Sequence, residues 1–140
     1  MAFLIDTNVI SELRKGQRCD ENVSQWQKSI SEPKYISVIT LLEIRKGIYQ
    51  QKRKDPEFAQ KLEHWYHNKV KPSFAGRIFL VDVDVVEKCA CLNEDLTRPY
   101  GDALIAATAL VNGLTVVTRN TKHFADMDIP LINPWDYKED

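Results

Sequence analysis

Ala2-Phe3-Leu4-Ile5, followed without a break by Asp6-Thr7-Asn8, is the stretch on which the fold turns. Four apolar residues with no polar alternation mark a strand buried on both faces, and such strands belong to parallel sheets covered by helices. The polar triplet ends the strand in a turn. From Val9 the spacing changes, with Ile10 and Leu13 three apart on a helix that Lys15-Gly16 stops. A buried strand that passes through a polar turn into a helix is the opening half of a βαβ unit.

The same alternation continues outward along the chain. A helix is expected over Val23 to Ser31, with Val23, Trp26 and Ile30 on one face and Pro33 beyond its end. Tyr35-Ile36-Ser37-Val38 reads as a second buried strand, and Ser37 or Thr40 can cap the helix through Leu41, Leu42, Ile44 and Ile48, which carries Glu43 near its start. Residues 51–76 are polar and form a helical excursion, in which Pro56 opens a helix with apolar positions Phe58, Leu62, Trp65 and Tyr66. Ile78 to Val81 is a third strand. Asp84 is expected to cap the next helix, with Val85, Val86, Ala90 and Leu92 facing inward. Asp102 then opens a helix of small residues, Ala103 to Leu110, which Gly113 closes. Leu114 to Val117 is a fourth strand and Pro130-Leu131-Ile132 a short fifth. Strands alternating with helices predict an α/β fold of three layers, with a central parallel sheet of four to five strands in one domain over 1–140.

Composition agrees with one core. The chain has 140 residues, 44% hydrophobic and 28% charged, too few for two independent cores. A net charge of −1 excludes a global basic field, so any nucleic-acid site must be a local patch. The odd set Cys19, Cys89 and Cys91, with no secretory leader, argues against a disulfide framework and for a reducing cytoplasm. Cys89 and Cys91 read as helix packing. The longest charge-free run, Ala103 to Thr118, contains Asn112 and Gly113 and is too short and too polar to span a bilayer.

In open parallel α/β sheets, ligands bind outside the carboxyl ends of the strands. Asp6 follows the first strand, Thr118-Arg119-Asn120 follow the fourth, and Glu43 and Asp102 belong to helices entered from the same rim. Four segments therefore deliver Asp6, Glu43, Asp102 and Asn120 to one place. A pair of carboxylates about 4 Å apart repels by roughly 4 kcal/mol at an effective dielectric near 20, so a cation should offset them. Oxygen-only ligands with no His or Cys suit Mg²⁺ or Mn²⁺, the ions that most often serve phosphodiester hydrolysis. The bland alternative is that Asp6 and Asp102 are only helix caps and Glu43 a solvated side chain.

Leu4-Ile5-Asp6-Thr7-Asn8-Val9-Ile10-Ser11-Glu12-Leu13, Ile36-Ser37-Val38-Ile39-Thr40-Leu41-Leu42-Glu43-Ile44 with Gly47, Asp102-Ala103-Leu104-Ile105-Ala106-Ala107, Val117-Thr118-Arg119-Asn120-Thr121-Lys122-His123-Phe124, and Leu131-Ile132-Asn133-Pro134-Trp135 together resemble the successive motifs of PIN-domain ribonucleases. The match is to the VapC and FitB-like toxins of type II toxin–antitoxin modules and runs from Phe3 to Trp135 in family order. The resemblance implies a PIN-like fold and an endoribonuclease that uses Mg²⁺, with Mn²⁺ able to substitute. It implies RNA as substrate, with tRNA the first candidate, a VapB-type antitoxin that neutralises the enzyme, and a homodimer. Asp6, Glu43 and Asp102 match the acidic metal site, Asn120 a fourth catalytic position, and Asn8 and Thr118 polar residues that orient the site. Arg119 and Lys122 on the same rim are candidates for RNA phosphate. One departure is His123, where many relatives carry an acid, so Asn120, Asp126 and Asp128 all stand as candidates for the fourth contact.

Other readings fit less well. Asp6-Thr7-Asn8 is similar to the opening of haloacid-dehalogenase-type phosphatases, but the second acid of that pattern is Asn8 here. A Rossmann nucleotide site needs a glycine-rich turn after the first strand, and none is present. His64 and His67, three apart on a helix, lack a further ligand beyond Glu63 and read as a solvated face. The cluster Arg45-Lys46, Lys52-Arg53-Lys54, Lys69 and Lys71 is either solvated surface or a local phosphate footprint. A non-catalytic PIN fold that grips RNA or protein is the rival of another class, and the retention of Asp6, Glu43 and Asp102 speaks against it.

Overall fold

The structure is a computed structural model and describes residues 1–94 and 98–139. Its centre is β1 (Phe3–Ile5), three residues without side-chain exposure that pair in parallel with β2 (Lys34–Ser37) on one side and β4 (Thr115–Val117) on the other. β3 (Ile78–Phe79) adds outside β2 and β5 (Leu131–Ile132) outside β4, giving a five-stranded parallel sheet in the order β3-β2-β1-β4-β5. The register Phe3↔Thr115, Leu4↔Val116, Ile5↔Val117 leaves both strands ending together, with Asp6 and Thr118 side by side beyond them.

Alternation along β1 divides the core. Phe3 and Ile5 face a cluster with Val9, Val23, Trp26, Ile36, Ile44 and Ile48, under α1 (Thr7–Leu13), α2 (Glu21–Ser29) and α3 (Val38–Lys54). Leu4 faces the opposite layer with Ile105, Ala106, Ala109, Val116 and Phe124. The excursion comprises α4 (Pro56–Trp65), a π-helical turn over Tyr66–Val70 and the single turn α5 (Lys71–Ser73). Beyond β3, α6 (Val83–Leu92) packs against α7 (Tyr100–Asn112) on the second face. The fully buried Ala106 and Ala109 let α7 lie close to the sheet, Ala103 and Ala107 let α6 pack against it, and Gly113 ends it in the left-handed conformation at φ 66°.

Several local expectations need correction. Asp6 is itself the N-cap of α1, so the helix starts at Thr7 and not Val9, and α2 runs over Glu21–Ser29, earlier than Val23 to Ser31. Val38 belongs to α3, capped by Ser37, whose hydroxyl accepts the Ile39 N–H at 3.0 Å; Thr40 is buried and caps nothing. β3 stops at Phe79, leaving Leu80 exposed. Asp82, not Asp84, caps α6 by accepting the Val85 N–H at 2.9 Å. The inward face of that helix is Val85, Cys89 and Leu92, while Val86, Ala90 and Cys91 are exposed, as is Leu42 on α3. Among the described residues no helix is long and apolar enough to cross a membrane.

Candidate functional site

The strand ends generate the site through the caps of the helices that leave them. Asp6 is pinned by α1 and β4 together: its carboxylate accepts the Thr7 N–H at 2.8 Å and the Thr118 hydroxyl at 2.8 Å. Asn8 ties the two segments again, donating to Thr118 Oγ1 at 3.2 Å while its own Oδ1 accepts the Arg119 N–H at 3.1 Å. Thr118 also accepts the Asn120 N–H at 3.0 Å. Asn8 and Thr118 thus tie Asp6 to the segment after β4, and Asn120 is held through its backbone.

Thr7 joins Glu43 to this frame. Its hydroxyl donates to Glu43 Oε1 at 2.7 Å, so the residue between Asp6 and Asn8 fixes a carboxylate carried by another helix. The sequence offered the triplet but no signal for that role. Asp102 enters in the first turn of α7, and Glu43 Oε2 lies 3.9 Å from where a Cβ would stand on Gly101, so the two helix starts meet at this carboxylate.

The acids are close enough that Asp102 opposes the ionisation of Asp6, and both oppose that of Glu43. Burial raises the Asp6 pKa above its ordinary value, and the Asp102 charge raises it further against the hydrogen bonds from Thr118 and Thr7. Glu43 is raised by desolvation of its carboxylate and then by Asp6 and Asp102, with Thr7 and Lys46 acting the other way. The ion pair that reaches these acids among the described residues comes from His123, whose Nδ1 is 3.4 Å from Asp102 Oδ2. Among the described residues no three His, Cys, Asp or Glu side chains are drawn in tightly enough to enclose an ion as they stand. The donor set fits a hard divalent cation: oxygen ligands from three segments, which among the described residues form no ion pair with a lysine or arginine.

The remaining candidates separate cleanly. Arg119 is exposed on the rim with its guanidinium 4.9 Å from the Trp135 ring, and Lys122 is exposed beside it. Asp126 is not drawn to the acids, because Arg98 grips it with two hydrogen bonds of 3.0 Å. Asp128 is exposed at φ 55°. His64 contacts Asn68 and His67 contacts Glu63, so neither is committed to a metal group. Of the basic cluster, Arg45 and Lys52 are ion-paired with Glu63 and sit on the Tyr49 ring, while Lys46, Arg53, Lys54 and Lys69 stay exposed.

A parallel α/β sheet with acids from β1, α3 and α7 converging at its carboxyl edge is the build of the PIN domain, and that family's model matches residues 3–130. The VapC ribonuclease Y4jK of Sinorhizobium fredii is 34% identical, over 96% of this chain and 98% of its own. Toxin FitB of Neisseria gonorrhoeae is 37% identical, over 95% and 98% respectively. The crystal structure of FitAcB from Neisseria gonorrhoeae superposes with a TM-score of 0.84 at 34% identity, covering 96% of this chain and 99% of the other. The chain belongs to the PIN-domain family, in the branch that holds the VapC and FitB toxins.

Proposed function

We propose that the chain is the toxin of a type II toxin–antitoxin module, a cytoplasmic single-domain endoribonuclease that hydrolyses RNA phosphodiester bonds with Mg²⁺ or Mn²⁺. The observation that carries this reading is the convergence of Asp6, Glu43 and Asp102, two of them with raised pKa, on one edge, with no lysine or arginine ion-paired to them among the described residues. These three residues would hold the ion. When bound, it supplies Lewis-acid activation of water and charge stabilisation at phosphorus. The chain's own contribution is positional: Thr7 holds Glu43, Thr118 and the Thr7 N–H hold Asp6, and Asn8 clamps the Thr118–Arg119 segment. Asn120 presents an uncharged amide at the rim, and Arg119 and Lys122 contact RNA phosphates.

A VapB-type antitoxin and a second copy of the chain are the proposed partners, and tRNA is the first substrate to try. The relatives' names support the ribonuclease and the antitoxin. In the excursion, Tyr66 is buried and Leu62 and Trp65 pack partly buried against the core. The large apolar side chains left exposed include Leu80, Val83, Val86 and Tyr100.

End-mapping of digested RNA tests the mechanism. Hydrolysis leaves a 5′-phosphate on the downstream fragment and stops in excess EDTA. A 2′,3′-cyclic phosphate, or full activity in EDTA, overturns it; RNA binding without any cleavage in Mg²⁺ or Mn²⁺ would favour the non-catalytic module.

A further inference from the structure

We infer that His123 is a direct ligand of the divalent ion, completing the set begun by Asp6, Glu43 and Asp102; the inference rests on the metal-site reading above. The imidazole is placed by structure on both sides of it. Thr121–His123 form a tight turn closed by the His123 N–H on the Asn120 carbonyl at 3.0 Å, and the next residue, Phe124, is only 1% exposed and anchors the turn in the core. The side chain then overhangs a cleft of about 270 Å³ whose walls are Arg98, Pro99, Asp102, His123 and Asp126.

Within that cleft His123 Nδ1 and Asp102 Oδ2 stand 3.4 Å apart as a charge contact without the alignment of a hydrogen bond. Two ligands on adjacent corners of an ion about 2.1 Å from each are about 3 Å apart, so this spacing suits a shared ion. His123 also lies within electrostatic reach of Asp6, where a positive ring favours the ionised carboxylate. The rivals for the position are otherwise engaged or exposed: Arg98 holds Asp126 in a two-bond grip, and Asp128 makes no hydrogen bond or ion pair with the acids among the described residues. A nitrogen donor in an oxygen set moves preference from Mg²⁺ toward Mn²⁺ and later transition ions. His123 is then the residue that sets metal choice.

The test uses Mn²⁺ alone, titrated into the full chain without RNA and followed by calorimetry and pulsed EPR. The wild type should bind Mn²⁺ and show imidazole nitrogen coupling. His123→Asp should bind it without that coupling, with the Mn²⁺ over Mg²⁺ affinity ratio reduced by about tenfold, the scale on which single groups around a metal act. Asp6→Asn should lose the ion. Mn²⁺ bound by the wild type with no nitrogen coupling, or coupling that persists in His123→Asp, overturns the role of His123 and leaves the acidic site standing. No Mn²⁺ binding by the wild type overturns both.

Discussion

The strand-end edge and the α3–α4 arm treat the same charged residue types in opposite ways. In the arm, Glu63 is met by Arg45 at 2.7 Å, His67 at 3.3 Å and Lys52 at 3.5 Å, and Arg45 also lies against the Tyr49 and Tyr66 rings. Its carboxyl is held below its ordinary pKa by that company. At the edge, Asp6 is raised by burial and then by Asp102, and Glu43 by desolvation of its carboxylate and then by Asp6 and Asp102. Carboxylates closed by cations of the same chain are finished structure, whereas carboxylates kept together against their own repulsion await a charge from outside.

Breaking the edge should cost chemistry and not folding. Asp6→Asn is expected to lower RNA cleavage by at least about 10³-fold, or about 4 kcal/mol in the barrier, while the melting temperature without metal holds or rises. Cleavage at the wild-type rate, or a melting temperature well below it, would erase the distinction between the regions. Breaking the arm should do the reverse: Tyr66→Ala removes a ring that is 7% exposed and beneath two cations, and should cost about 3 kcal/mol in urea unfolding. The folded fraction of that variant should still cut RNA.

A pH series sharpens the contrast, because the two regions have opposite signs. Asp6 and Glu43 have raised pKa values, so their contribution is full below the ordinary values of 3.8 and 4.5 and is lost as pH rises through the raised ones. Glu63 is lowered, so its contribution is present above 4.5 and lost as pH falls. Asp6→Asn should therefore gain stability relative to wild type as pH rises toward neutrality, and Mg²⁺ should return that gain to the wild type. Glu63→Gln should lose stability over the same rise, and by the smallest amount of these four effects, since the group is solvated and salt screens it.

What could be read before folding was whatever local chemistry alone decides. The unbroken apolar run Phe3-Leu4-Ile5 before Asp6 fixed both a doubly buried strand and the acid beyond it, and Gly113 marked a helix end because the left-handed turn needs it. The face of α6 was not legible. Val83, Val85, Val86, Cys89, Ala90 and Leu92 offer two apolar stripes at helical spacing, and contact with α7 selects Val85, Cys89 and Leu92. Asp82 and Asp84 could both cap, and the two-residue length of β3 decided between them. At the rim, the positions of Asp6 and Asn120 were legible from the ends of β1 and β4, and those of Glu43 and Asp102 from the early turns of their helices. The Thr7–Glu43 bond and the approach of His123 to Asp102 were not, since each joins segments whose separation only the folded sheet sets.

The pairing of β1 with β4 has a consequence for synthesis. The Asp6–Thr118 hydrogen bond spans 112 positions, and the central strand finds its second neighbour only when Thr115–Val117 has emerged. At roughly 5–20 residues per second, β1 waits for about 5–20 s before the sheet can close around it. A nascent chain halted between Asp102 and Thr115 carries Asp6, Glu43 and Asp102 but not the β4 strand that sets Thr118 beside Asp6. Long-range closure of this kind slows folding, and here it also means that acidic edge and polypeptide reach completion together.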